Sequence, residues 1–178
     1  IFENETHRFA ISLWIAGTYL MDNWGLYPKL YINSPERECG KTSLLCIIEA
    51  FACNARMAAS ITPSAFYRII ESEGPTLLID EADRTLRGNE ELNGIINAGH
   101  TKRTAIKILS EPTHDGKWKS VEMSLWAPQA FAGIGTQADT LLSRSIKIKM
   151  RRKMVSEAVD TIPIDYFEQH QGLRHCMK

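Results

Sequence analysis

Residues 76–83 read Thr-Leu-Leu-Ile-Asp-Glu-Ala-Asp, a continuous apolar run that stops abruptly on acids. A strand of this kind has no polar face, so both of its faces must be covered. That is the situation of a central strand in a parallel sheet with helices on either side. Parallel neighbours need a crossover connection, so the segment points to a layered α/β arrangement.

The remaining chain supplies the other layers. Residues 8–24 read as a helix interrupted only by Gly17 and closed by Asp22-Asn23. Residues 27–35 have strand composition, with Pro28 near the start and Pro35 at the end, and a helical apolar pattern runs from Thr42 to about Ala52. A second short strand is expected at 56–61, and Thr62-Pro63 is a helix start, with a hydroxyl cap and proline at the first helical position. That helix should stop at Gly74-Pro75, and another is expected at 89–98, with Gly99 as terminator. Residues 103–109 and 117–126 alternate around the turn-rich 110–116, which predicts a β-hairpin, the one antiparallel unit. A buried strand at 129–135, a short helix at 137–144 and a last strand at 145–150 complete the pattern. At 178 residues, 44% apolar and 24% charged, this is one ordinary globular domain with room for a sizeable core.

Chemistry concentrates at two of these junctions. Gly40-Lys41-Thr42 falls between an expected strand and an expected helix. A phosphate-binding loop needs just that placement: backbone N–H groups at a helix start, a lysine for the β and γ phosphates, and a hydroxyl for Mg²⁺. The candidate loop is Pro35, Glu36, Arg37, Glu38, Cys39, Gly40, Lys41, Thr42 and Ser43. It departs from the full pattern, because Pro35 stands where the first glycine belongs. Glu36 and Glu38 also bring negative charge to the phosphates, so they must point outward or be offset by Arg37.

The second junction is the acidic end of the apolar strand. There Asp80 is placed to hold Mg²⁺ and Glu81 to polarise an attacking water. Lys41 and Asp80 lie 39 residues apart, room for one helix, one strand and one helix between adjacent parallel strands. A polar helix start and a polar strand end are the plain alternatives, but together the two segments read as a nucleotide site.

In the order "SPERECGKTSLL", "TLLIDEADR", "NAGHTKR", "FAGIG" and "TLLSRSIKIKMRRK", covering roughly residues 28–153, the chain resembles an AAA+-type P-loop NTPase. It is most similar to the ATPase domain of phage and plasmid primase-helicase-like proteins. The resemblance implies an α/β, three-layer P-loop NTPase core with a mainly parallel sheet and an inserted β-hairpin. It also implies Mg²⁺-dependent ATP hydrolysis, coupled to movement on DNA in a ring-shaped homo-oligomer of a mobile-element replication protein. Under it, Thr136 matches a sensor of the γ-phosphate, with Gln137 as a neighbouring candidate. Arg144 matches an arginine finger offered to the adjacent subunit, with Arg151 and Arg152 as lesser candidates. Asp80-Glu81-Ala82-Asp83 also spells the DEAD signature of RNA helicases, but the interval from Lys41 is too short and no S-A-T motif follows.

A hairpin between the acidic strand and the sensor strand grips DNA in the replicative relatives. Here its tip offers His114, Lys117 and Lys119 to phosphates and Trp118 for stacking on a single strand, with Lys102 and Arg103 at its base. Residues 101–153 hold eleven Lys and Arg against four Asp and Glu, although the whole chain is neutral. An ordinary solvated turn is the alternative for the tip. Two other functions stay open beside a DNA motor. One is an ATP-dependent switch or assembly scaffold of phage-defence type; the other is a small-molecule kinase, disfavoured because no acceptor site is visible.

The organisation expected is an N-terminal helical segment at 1–27 packing on the core, the NTPase core at 28–153, and the start of a C-terminal lid or linker at 154–178. The chain reads as an excised piece of something larger. The longest apolar run, 9–21, is too short to span a bilayer. Cys39, Cys46, Cys53 and Cys176 form no C-x-x-C pair and read as reduced thiols of a cytoplasmic protein, with 46 and 53 on one helix face.

Overall fold

A computed structural model describes residues 1–135 and 137–159. Five strands form one parallel sheet: β1 (Lys29–Ser34), β2 (Ala55–Ala58), β3 (Thr76–Ile79), β6 (Gln129–Ile134) and β7 (Ser145–Lys149), in the order β2-β3-β6-β1-β7. A separate two-stranded antiparallel sheet pairs β4 (Ile106–Pro112) with β5 (Trp118–Ser124). The helices are α1 (Thr6–Thr18), α2 (Lys41–Phe51), α3 (Pro63–Glu73), α4 (Ala82–Thr85), α5 (Glu90–Ala98) and α6 (Asp139–Ser143). The fold is therefore α/β, with a mainly parallel sheet and a hairpin standing outside it.

The period of two along each strand divides the core into two faces. Leu30, Ile32, Leu78, Ala130, Ala132 and Ile148 face Ile11, Trp14 and Ile15 of α1 and Leu44, Leu45 and Ile48 of α2. Tyr31, Leu77, Ile79 and Phe131 face Phe66 and Ile70 of α3, Leu92 and Ile96 of α5, and Leu141 of α6. Three layers result, with no strand face of β3 left in water.

Local signals act as the sequence implies. The Thr62 hydroxyl accepts from the Ala65 N–H at 3.2 Å, Pro63 opens α3, and Gly74 closes it in the left-handed region. The Asn89 side chain caps α5 through the Leu92 N–H.

Five local expectations are corrected. The first helix stops at Thr18, whose hydroxyl donates to the Ile15 carbonyl and accepts from the Cys53 N–H; residues 21–23 form a 3₁₀ turn instead. The second strand is Ala55–Ala58, because its ladder ends where its partner does, at Ala58 opposite Ile79. Residues 102–104 are a 3₁₀ turn tied to the Gly25 carbonyl through the Lys102 N–H, so the hairpin begins at Ile106. Two isolated antiparallel bridges, Phe2 with Met150 and Leu26 with Thr101, accompany the hairpin. Cys53 lies beyond the end of α2 and shares no helix face with Cys46; both are free thiols, as is Cys39, while Cys176 lies outside the described residues.

The strand order corrects a larger expectation. β1 and β3 are not neighbours, because β6 lies between them and pairs with both. β6 takes the centre, with Ala130, Phe131 and Ala132 fully buried. Most of the C-terminal lid expected at 154–178 lies outside the described residues. Among the described residues no helix is long and apolar enough to cross a membrane.

At the N-terminal edge of the sheet Lys29 is 2% exposed. Burial, aided by the nearby Arg144 charge, pushes its ammonium down to about 7 from an ordinary value of 10.5. Between those values the unfolded chain holds more protons than the folded one, so this group makes stability climb as pH rises, by at most ~1.4 kcal/mol per pH unit. Denaturant unfolding at pH 7 and pH 9.5 should show that rise flattened in Lys29→Met, with the variant gaining most at the lower pH.

Candidate nucleotide site

All strands of the main sheet run parallel, so their C-terminal ends share one edge, and the loops there enclose a cleft of about 260 Å³. It is lined by Arg37, Glu38, Lys41 and Thr42 from the loop after β1, Asp80, Glu81, Asp83 and Arg84 after β3, and Ala132, Gly133 and Ile134 at the end of β6. The separation of 39 residues between Lys41 and Asp80 is thus closed in space.

The loop turns into α2 through Gly40, at φ +83°. A Cβ there would have its nearest atom at 3.6 Å, so space does not demand glycine; the left-handed backbone does. Lys41 Nζ donates to Ser34 Oγ at 2.5 Å and to the Glu36 carbonyl at 3.2 Å, which holds the ammonium across the mouth of the loop. Ser34 Oγ itself donates to the Glu36 carbonyl at 2.6 Å. Cys39 is buried in the core, its thiol on the Arg37 carbonyl, so it shapes the loop from below. Pro35 and Ser43 are exposed.

The decisive contact joins the two junctions: Thr42 Oγ1 donates to Asp80 Oδ2 at 2.7 Å. Two hard oxygen donors at one point match what Mg²⁺ takes from protein when phosphates and water supply its other ligands. Asp80 is fixed in place, since its N–H closes the ladder on the Ala58 carbonyl and its Oδ1 accepts from the Glu81 N–H at 2.9 Å. Glu81 follows at φ +48°, a left-handed conformation costly for a residue with a side chain. Its carboxylate is oriented by Arg84 at 2.8 Å.

The sequence reading did not single out Asp83 and Arg84. Asp83 Oδ1 accepts from the Ile134 N–H at 3.1 Å and so ties the end of β6 to the acidic segment. Gly133 permits this approach, because a Cβ there would stand 3.2 Å from both the Asp83 nitrogen and the Tyr31 hydroxyl. The only signal was its place in the acidic segment that follows the apolar strand; the contact itself depends on β6 lying beside β3. Burial pushes the Tyr31 phenol up to about 12, a hydrogen bond from Gln137 opposing the shift and the Asp83 charge adding to it. Thr136 lies outside the described residues.

The other candidates lie apart. Arg144 precedes β7 at the opposite edge of the sheet, where its guanidinium donates to the Asn97 carbonyl at 3.0 Å. It is not among the residues lining the cleft. At the hairpin, His114, Lys117, Trp118 and Lys119 are all exposed, Trp118 by 72%. Lys102 is spent on the Asp22 carbonyl at 3.0 Å, while Arg103 is exposed.

No protein-family model and no curated protein matches the chain. Among solved structures it is similar to the Thermotoga maritima RuvB Holliday junction branch migration motor, at 18% identity and a TM-score of 0.49, over 83% of this chain and 45% of that one. The chain thus spans under half the length of that protein.

Proposed function

We propose that the chain hydrolyses ATP with Mg²⁺, as the core of an AAA+-type ATPase. The observation that carries this is the Thr42–Asp80 hydrogen bond, with Lys41 and Glu81 facing the same cleft. Thr42 and Asp80 would hold Mg²⁺, which supplies charge neutralisation on the phosphates. Lys41 turns from Ser34 and Glu36 to the β and γ phosphates, and Gly40 presents backbone N–H groups at the start of α2. Glu81, held by Arg84, orients and deprotonates the attacking water. Thr136 senses the γ-phosphate, and Arg144 acts on the cleft of a neighbouring copy, since within one chain it lies at the far edge of the sheet. The test is phosphate release from ATP by the full chain, with and without Mg²⁺; no turnover in its presence would sink the reading.

We further propose that hydrolysis drives movement on single-stranded DNA, in a ring of identical subunits belonging to a mobile-element replication protein. An exposed tryptophan flanked by two exposed lysines supports this, because base stacking and phosphate pairing need no partner side chains. Trp118→Ala should weaken binding of an oligothymidylate about tenfold in a fluorescence titration, with unstimulated ATP turnover unchanged. Equal affinity in the variant would remove the hairpin from DNA contact. The second reading, an ATP-dependent assembly scaffold, is supported by Phe9 and Leu13 of α1, 71% and 75% exposed beside an apolar groove lined by Trp24 and Leu26. ATP turnover that oligothymidylate leaves unstimulated would favour it.

A further inference from the structure

The phosphate loop carries two acids, and the structure shows what answers them. Arg152, 114 residues beyond Glu38, pairs through Nη2 with the Glu38 carboxylate, while its Nη1 lies 3.9 Å from Glu36 Oε2. Glu38 is bent to φ +60°, in the left-handed region, at this point of the loop. All three side chains are more than half exposed, so the pairs add little to folding stability. Their consequence is the charge that an anion meets at the mouth of the cleft.

The segment that carries Arg152 is fastened on both sides. The Met150 N–H donates to the Asn33 carbonyl at 2.7 Å, and the Arg151 N–H to the Ile1 carbonyl at 2.9 Å. The Arg151 guanidinium then grips Glu157 through two bonds, at 2.8 and 2.5 Å, and Glu157 also accepts from the Met154 N–H. Arg152 therefore stands on a closed turn beside the loop. Arg37, which the sequence nominated as the counter-charge, lines the cleft beside Glu38 and pairs with neither acid in a salt bridge among the described residues.

We infer that Arg152 is a positioning residue for nucleotide binding: it neutralises Glu36 and Glu38 at the rim of the cleft, so that Arg37 and Lys41 set the charge the phosphates meet. The inference rests on the reading of the cleft as a nucleotide site. Without Arg152, two carboxylates stand unopposed where a polyanion must dock.

The test is titration of the full chain with Mg²⁺-ATP. Arg152→Ala should weaken binding about tenfold, and the loss should shrink at high salt, where exposed charges are screened. Arg152→Lys, which keeps the charge, should lose no more than about threefold. Adding Glu36→Gln and Glu38→Gln to Arg152→Ala should bring affinity back to within about twofold of the unaltered chain, which a merely structural role would not allow. Unchanged affinity in Arg152→Ala overturns the inference, and so does a tenfold loss that survives in the triple variant. If the unaltered chain binds no nucleotide and Lys41→Ala behaves identically, it is the reading of the cleft that falls.

Discussion

Lys41→Ala is expected to weaken ATP binding by about a hundredfold while leaving the fold intact. The ammonium is now shared between two neutral oxygens, Ser34 Oγ and the Glu36 carbonyl. Those two are also bonded to each other, so removing the lysine strands neither of them. Against a triphosphate the same group would make charge-assisted hydrogen bonds inside a partly closed cleft, where losing a cation leaves the opposing charge uncompensated and costs a few kcal/mol. The effect should therefore appear in a nucleotide titration and not in the thermal midpoint. Affinity equal to that of the unaltered chain would mean that the loop after β1 is only a helix start.

Glu81→Gln separates binding from chemistry. The amide preserves the size and the Arg84 contact of the side chain, and it leaves Thr42 and Asp80 in place. It cannot take a proton from water. Turnover should fall about a thousandfold, within the range found when a general base is removed. Nucleotide affinity should stay within about twofold, and because the Glu81–Arg84 pair is exposed, stability should barely move. Phosphate release under single-turnover conditions checks this; turnover above a tenth of normal would assign the water to another group.

The two junctions were legible in the sequence because each is local. An apolar strand that must stop at water, and a helix that must begin on exposed N–H groups, write themselves into a few neighbouring residues. The hairpin was legible for the same reason, since its alternation and its turn are contiguous. What could not be read depends on distant partners. The insertion of β6 between β1 and β3 is set by pairings between strands far apart in sequence, a property of the assembled sheet. The pairing of Arg152 with Glu36 and Glu38 depends on β7 lying beside β1, so the nearer Arg37 looked like the natural partner. Asp83 stood inside a quoted motif, but its bond to Ile134 needs two strands in register.

The hairpin shares no ladder with the main sheet. It is fastened instead by side chains: Glu71 of α3 accepts from the Ser124 N–H, Arg68 of α3 faces Glu111, and Lys107 reaches Glu91 of α5 while lying over the Tyr67 ring. These two helices flank β3 in the chain, one entering it and the other leaving the Asp80-Glu81 corner by way of α4. A rigid shift of either helix therefore carries the hairpin along, and no strand needs to be unzipped. The hairpin that ends at Trp118 is thus joined to α3 and α5, the two helices on either side of the segment that carries the acids.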